Sequence, residues 1–222
     1  MASFDDIWEQ NYAAGQALNK YPLSDVVSFV FRHRPQRPNN TVSILEVGCG
    51  TAPNVAFMAR EGFQVSGIDA SKTAVRIASE RLEKEGLKAD LTIGDFCALP
   101  YKDESFDLVV DRAALTHADF PSMRRAIDEI RRVLKPRGRF LFIPFGDTHA
   151  SFANSTLADN LTSIDVGGAL AGHGQVTFVS RKEISVLFRD GWKLLQCRRN
   201  EHIDMLDAIE MVVSWTVIAE KT

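Results

Sequence analysis

Cysteine is scarce in this chain: Cys49, Cys97 and Cys197 are the only three among 222 residues, and no C-x-x-C spacing joins them. That excludes a disulfide framework and the common structural zinc sites, and it suits reduced thiols in a reducing compartment. No H-E-x-x-H run and no carboxylate pair at ligand spacing is present, so no metal is expected. No stretch approaches the ~20 apolar residues needed to cross a bilayer. The opening MASFDDIWEQ is acidic and has no apolar core, so no signal peptide is expected and the protein is read as cytoplasmic. Basic charge is not in excess either. Lysine and arginine total 26 against 29 acidic residues, a formal net charge of −3, which gives no general pull toward nucleic acid.

What is present is a long, evenly apolar chain, 45% hydrophobic, enough for one α/β domain over 1–222 with a large core. Strand and helix patterns alternate, as in a mostly parallel sheet covered on both faces. Strands are expected near 42–48, 64–69, 90–95, 106–111, 138–145, 192–200 and 210–220. Helices are expected near 4–14, 23–34, 53–61, 71–86, 121–134 and 180–190. Ser180 and Glu183 form a capping box. The last strand follows its predecessor without a helix between them, which predicts an antiparallel final strand in a seven-stranded sheet.

The run ILEVGCGTAPN, residues 44–54, carries the most chemistry. An apolar strand drives into a turn holding Gly48 and Gly50, where glycine lets backbone approach a ligand closely. The next apolar run ends in Asp69, the distance at which α/β nucleotide sites place a carboxylate for a ribose diol. A dinucleotide fingerprint wants glycine at 53, but Pro53 stands there. Glu46, two residues before Gly48, would repel two phosphates and welcome a cation. The sign of the charge points to S-adenosylmethionine, which has a sulfonium, an ammonium and no phosphate.

These residues also carry a family resemblance. EVGCGT, from Glu46, resembles the first motif of the class I S-adenosylmethionine-dependent methyltransferases. GIDAS (67–71), GDF (94–96), FDLVVDRAAL (106–115) and RRVLKPRGRFLF (131–142) resemble later motifs in the same order, and the likeness runs from about Trp8 to Lys221. It is nearest to small-molecule enzymes of the ubiquinone/menaquinone type. IWEQNYAAGQALNKYP and PFGDTHAS resemble relatives found in surface-polysaccharide gene sets. The family often has glycine where Ala52 and Arg137 stand here.

The resemblance implies a Rossmann-like fold with the cofactor at the carboxyl ends of the first four strands. It implies that Gly48, Gly50 and Asn54 meet the methionine end, that Asp69 and Ala70 meet the ribose, and that Asp95 and Phe96 meet the adenine. Asp111 and Arg112 fall near the sulfonium and the acceptor. Trp8 and Tyr12 share one helical face, and with Asn19 they are expected to close over the cofactor as part of an N-terminal helical lid, 1–40. The aperiodic stretch 147–179 is expected to recognise the acceptor. His149, His117 and Asp111 are the candidate bases. The reaction expected is methyl transfer to nitrogen or oxygen of a small molecule, a sugar or other biosynthetic metabolite. The alternatives are a thiol or thiopurine S-methyltransferase, a nicotinamide oxidoreductase and a non-catalytic partner subunit.

Overall fold

The computed structural model describes residues 5–206 and 210–222. The first four residues of the expected lid, and Phe4 of its helix, lie outside these. Helices α1 (Ile7–Ala13) and α2 (Ser24–His33) precede β1 (Ser43–Val47), α3 (Pro53–Arg60), β2 (Gln64–Asp69), α4 (Lys72–Lys84), β3 (Asp90–Ile93), β4 (Phe106–Arg112), α5 (Phe120–Val133) and β5 (Leu134–Ile143). Then come α6 (Ala150–Ala153), three short strands β6 (Thr156–Leu157), β7 (Thr162–Ile164) and β8 (Val176–Thr177), then α7 (Arg181–Leu187), β9 (Trp192–Ile203) and β10 (Met211–Lys221). The main sheet has seven strands in the order β3-β2-β1-β4-β5-β10-β9. Strands β1 to β5 pair in parallel, and β10 runs antiparallel to both β5 and β9. The expected architecture holds.

Period-two alternation sends neighbouring strand residues to opposite layers. Leu45, Val47, Val109, Phe140 and Phe142 pack with Met123, Ile127 and Ile130 of α5 and with Ile184 of α7. Ile44, Leu108, Val110, Leu141 and Ile143 pack with Phe29 of α2, Val55 and Met58 of α3, and Ala78 and Leu82 of α4. Helix α2 therefore belongs to the core, since Val26, Phe29 and Val30 are buried. This narrows the part of 1–40 that could act as a cover to the residues ahead of α2.

Among the boundaries that differ from expectation, two stand out. Strand β3 ends at Ile93, which leaves Asp95 in the following turn, and β5 begins at Leu134, ahead of Pro136. The second difference comes from a register shift against β4 between Phe106 and Leu108. The bulged segment holds Arg137 at φ 62°, and Ala52 has φ 60° at the start of α3. Both of the family's glycine positions are thus left-handed here, a conformation costing an L-residue about 1–2 kcal/mol. Arg137 is exposed. Arg137→Gly should stabilise the protein by about 1 kcal/mol. In thermal melts that is a rise of about 2–4 °C; an unchanged or lower midpoint would deny the strain.

The stretch 147–179 is ordered, against its aperiodic reading. Strands β6, β7 and β8 form a separate antiparallel sheet. Val166, Leu170, Val176 and Phe178 make a small apolar cluster with Phe145 and Phe152. Strands of two or three residues are too short for periodicity to reveal.

Candidate active site

The carboxyl ends of β1, β2 and β4 surround a cavity whose lining includes Trp8, Tyr12, Asn19, Glu46, Gly48, Gly50, Asn54, Asp69, Ala70, Phe96, Arg112 and His117. Twelve of the residues singled out from sequence meet there. Asp95, Asp111 and His149 are not among its lining.

The glycine turn is held from two sides. Gly48 has φ +63°, and a Cβ there would lie 2.1 Å from Ala114 Cβ in the loop after β4. Gly50 has φ +52°, and a Cβ would lie 2.7 Å from the Tyr12 hydroxyl. Asp69 ties this turn to the next one. Its Oδ2 accepts the Gly50 N–H at 2.8 Å and its Oδ1 accepts the Ser71 N–H at 2.9 Å. Each oxygen keeps capacity for a further hydrogen bond.

Glu46 is 3% exposed. Asn54 Nδ2 donates to its Oε1 at 2.7 Å, while Oε2 has no partner among the described residues. Burial, with the nearby Asp111 and Asp69 carboxylates adding to it, pushes the Glu46 carboxyl up to about 8. Asn54 accepts the Leu23 N–H at 2.9 Å on its other end. It therefore orients Glu46 and anchors the chain entering α2, and both of its polar ends are engaged by protein.

Asp111 is fully buried, and its Oδ1 accepts the N–H groups of Ala114 and Leu115 at 3.0 and 2.9 Å. It shapes the loop after β4, with Ala113 at φ 60°, while its Oδ2 is buried without a partner among the described residues. Arg112 does face the cavity, with Nε on Asp25 at 3.1 Å. Asp95 accepts the Cys97 N–H at 2.8 Å in the turn beside Phe96. His149 is 1% exposed and caps α6, its Nδ1 accepting the Ser151 N–H at 3.0 Å among Phe145 and Phe178. Its Nε2 is buried without a partner among the described residues, and His149 is not in the lining of this cavity.

Helix α1 buries none of its residues and is held by polar clamps on both flanks. Glu9 accepts from Ser71 Oγ and Thr73 Oγ1, each at 2.5 Å, at the start of α4. Asp5 accepts the Gln175 N–H at 2.8 Å, and Asn11 Nδ2 donates to the Gly172 carbonyl at 3.0 Å. Between these clamps Trp8 lies against His117 and His173, with ring centroids 4.7 and 5.3 Å apart. Sequence reading missed Asp5, His173 and Gln175; no periodic signal links residues so far apart in the chain.

Residues 44–138 match a family model described as a methyltransferase domain. A protein of Haemophilus influenzae is 31% identical over 68% of this chain and 54% of its own length. A sterol 24-C-methyltransferase of Gibberella zeae is 40% identical over 45% of this chain and 26% of its own. The chain thus spans about half or less of these curated relatives. Among solved structures, an S-adenosylmethionine-dependent methyltransferase of Methanosarcina mazei shares the fold with a TM-score of 0.73 at 23% identity, over 87% of this chain and 96% of that one.

Proposed function

We propose that this chain, whose residues 44–138 match a methyltransferase-domain model and whose fold is that of a solved S-adenosylmethionine-dependent methyltransferase, moves a methyl group from S-adenosylmethionine to a nitrogen or oxygen atom of a small-molecule acceptor. One observation carries the cofactor half of this reading: Glu46, a residue of the cavity lining, is buried with its Oε2 unpartnered among the described residues. A carboxylate taken out of water needs a cation or a proton. S-adenosylmethionine, when bound, supplies a methyl group made electrophilic by a positively charged sulfur. Asp5, Glu46 and Asp69 line the cavity against one arginine, which is itself paired with Asp25. That balance disfavours the diphosphate of a nicotinamide cofactor.

The residues divide the work along the cavity. Glu46 and the turn at Gly48 and Gly50 serve the charged methionine end, with the Tyr12 hydroxyl placed over Gly50. Asp69 has two acceptor sites left for ribose hydroxyls, and Phe96 offers a face to the adenine. Residues 5–23, which include α1, act as the cover that excludes water, and the 147–179 insertion shapes the acceptor end. His117 and Arg112 are the polar groups there. Positioning is the protein's main contribution, since orienting two reactants can lower a barrier by several kcal/mol.

The test is a panel of amino sugars, nucleotide sugars, quinols and thiols assayed by release of S-adenosylhomocysteine. Turnover of a sugar or quinol supports the reading, and turnover of thiols alone would replace it with S-methyl transfer. In the same assay His149→Ala should leave the rate and the cofactor affinity unchanged, while stability falls by about 1–2 kcal/mol from the lost cap and ring. A rate loss of tenfold or more at unchanged stability would return His149 to the chemistry.

A further inference from the structure

Helix α1 has seven residues and buries none of them. A helix that short is marginal in water by itself, so its place over the cavity depends on the contacts its side chains make. Glu9 makes three of them. Its carboxylate accepts the Ser71 and Thr73 hydroxyls at 2.5 Å, and its Oε2 also accepts the Thr73 N–H at 3.2 Å. The Ser71 hydroxyl, and then that of Thr73, holds the Glu9 carboxyl below its ordinary value, so it is ionised at neutral pH. Hydrogen bonds to a charged acceptor are stronger than neutral ones. Ser71 is gripped from two sides, since its N–H goes to Asp69 and its hydroxyl to Glu9. One step along a helix turns by about 100°. Glu9 can therefore hold α4 while Trp8 and Tyr12 line the cavity. Arg81, further along α4, donates to the Asn19 carbonyl at 2.6 Å and fixes the stretch after α1 to the same helix.

We propose that Glu9 is the latch of this cover: a positioning residue that holds Trp8 and Tyr12 over the cofactor, and whose release from Ser71 and Thr73 sets the rate at which S-adenosylhomocysteine leaves. This rests on the S-adenosylmethionine reading and adds to it how the site opens. The latch is made of hydrogen bonds that water replaces on opening, and core packing begins only at α2. Helix α1 can thus swing away while the sheet and its layers stay intact. On the opposite flank Asp5 and Asn11 bond the backbone of the insertion. Loss of Glu9 therefore frees α1 from the turn that holds Asp69 and leaves it tethered at the insertion.

Amide hydrogen exchange across α1 reads the latch with no ligand present, and surface plasmon resonance with S-adenosylhomocysteine reads its consequence. In Glu9→Ala, exchange across α1 should speed up roughly tenfold or more, and S-adenosylhomocysteine should dissociate faster by a similar factor. Its association rate should change by less than about threefold, since closure follows encounter. Thr73→Val keeps the shape and removes one hydroxyl, so it should show the same split at smaller size. The double variant should be no faster than Glu9→Ala, because the bond is already gone. Glu9→Gln keeps one acceptor oxygen and should fall between Glu9→Ala and wild type. Thermal midpoints should stay within about 2 °C of wild type throughout, which separates a latch from a residue that holds the fold. Unchanged exchange or dissociation within about twofold of wild type in Glu9→Ala, additive effects in the double variant, or a fall in midpoint that tracks the rate would overturn the proposal. Absence of S-adenosylhomocysteine binding to the wild type would strike the cofactor assignment instead, and exchange in the unliganded protein would still decide whether Glu9 holds α1.

Discussion

Gly48→Ala is expected to lower stability by about 2–4 kcal/mol and affinity for S-adenosylmethionine by roughly 100-fold or more. Two independent effects converge on this position. The backbone is left-handed at φ +63°, and the new Cβ would meet Ala114 Cβ at 2.1 Å. Ala114 cannot retreat easily, because its N–H is fixed by the buried Asp111 carboxylate. The turn must therefore move, carrying Gly50 and its bond to Asp69 with it. Denaturant melts and calorimetry would read the two effects, and a variant with wild-type midpoint and affinity would show that the turn does not approach the β4 loop as described.

Glu46→Gln should cost a similar factor in S-adenosylmethionine affinity at pH 8 and above while leaving the fold intact. Glutamine keeps the contact with Asn54 and removes only the charge. In the wild type, the Glu46 carboxyl is raised to about 8 without a cation beside it. A bound cation favours the carboxylate, so binding releases a proton below pH 8, and affinity should rise by up to about tenfold per pH unit toward that value. The variant should lose this slope. Stability runs the other way. A carboxyl whose folded value lies above its unfolded one contributes stability that is complete at low pH and lost as pH rises through about 8. Asp111, raised by burial to about 7, behaves alike. The unliganded wild type should therefore weaken between about pH 5 and 8, and Glu46→Gln should weaken less. A variant that binds within twofold of wild type, or that keeps the slope, would remove Glu46 as the cation's partner.

The main sheet was readable from the chain because alternation and helical period act over neighbouring residues. Ile44 to Val47 and Phe106 to Val110 announce buried strands by composition alone. The glycine turn and Asp69 were readable for a similar reason: the backbone there needs those residue types at that spacing. The backbone duties of Asp111 and His149 were not readable, because carboxylates and imidazoles satisfy backbone N–H groups as well as act on ligands, and sequence does not separate the two. His173 and Gln175 were invisible as site residues. Their place beside Trp8 and His117 arises from an insertion whose strands pair over two or three residues, and from contacts spanning 58 positions or more. Ala52 and Arg137 were noted as departures from glycine, and the left-handed φ at both shows why glycine is preferred there.

The charge lining the cavity suits a positively charged methyl donor. Calorimetric titration of the wild-type protein at pH 7 with S-adenosylmethionine and with NADH, each in two buffers of different ionisation enthalpy, tests it most directly. S-adenosylmethionine should bind saturably, with a buffer-dependent heat that reports proton release from Glu46, and NADH should not bind. Saturation by NADH with no heat from S-adenosylmethionine would contradict it.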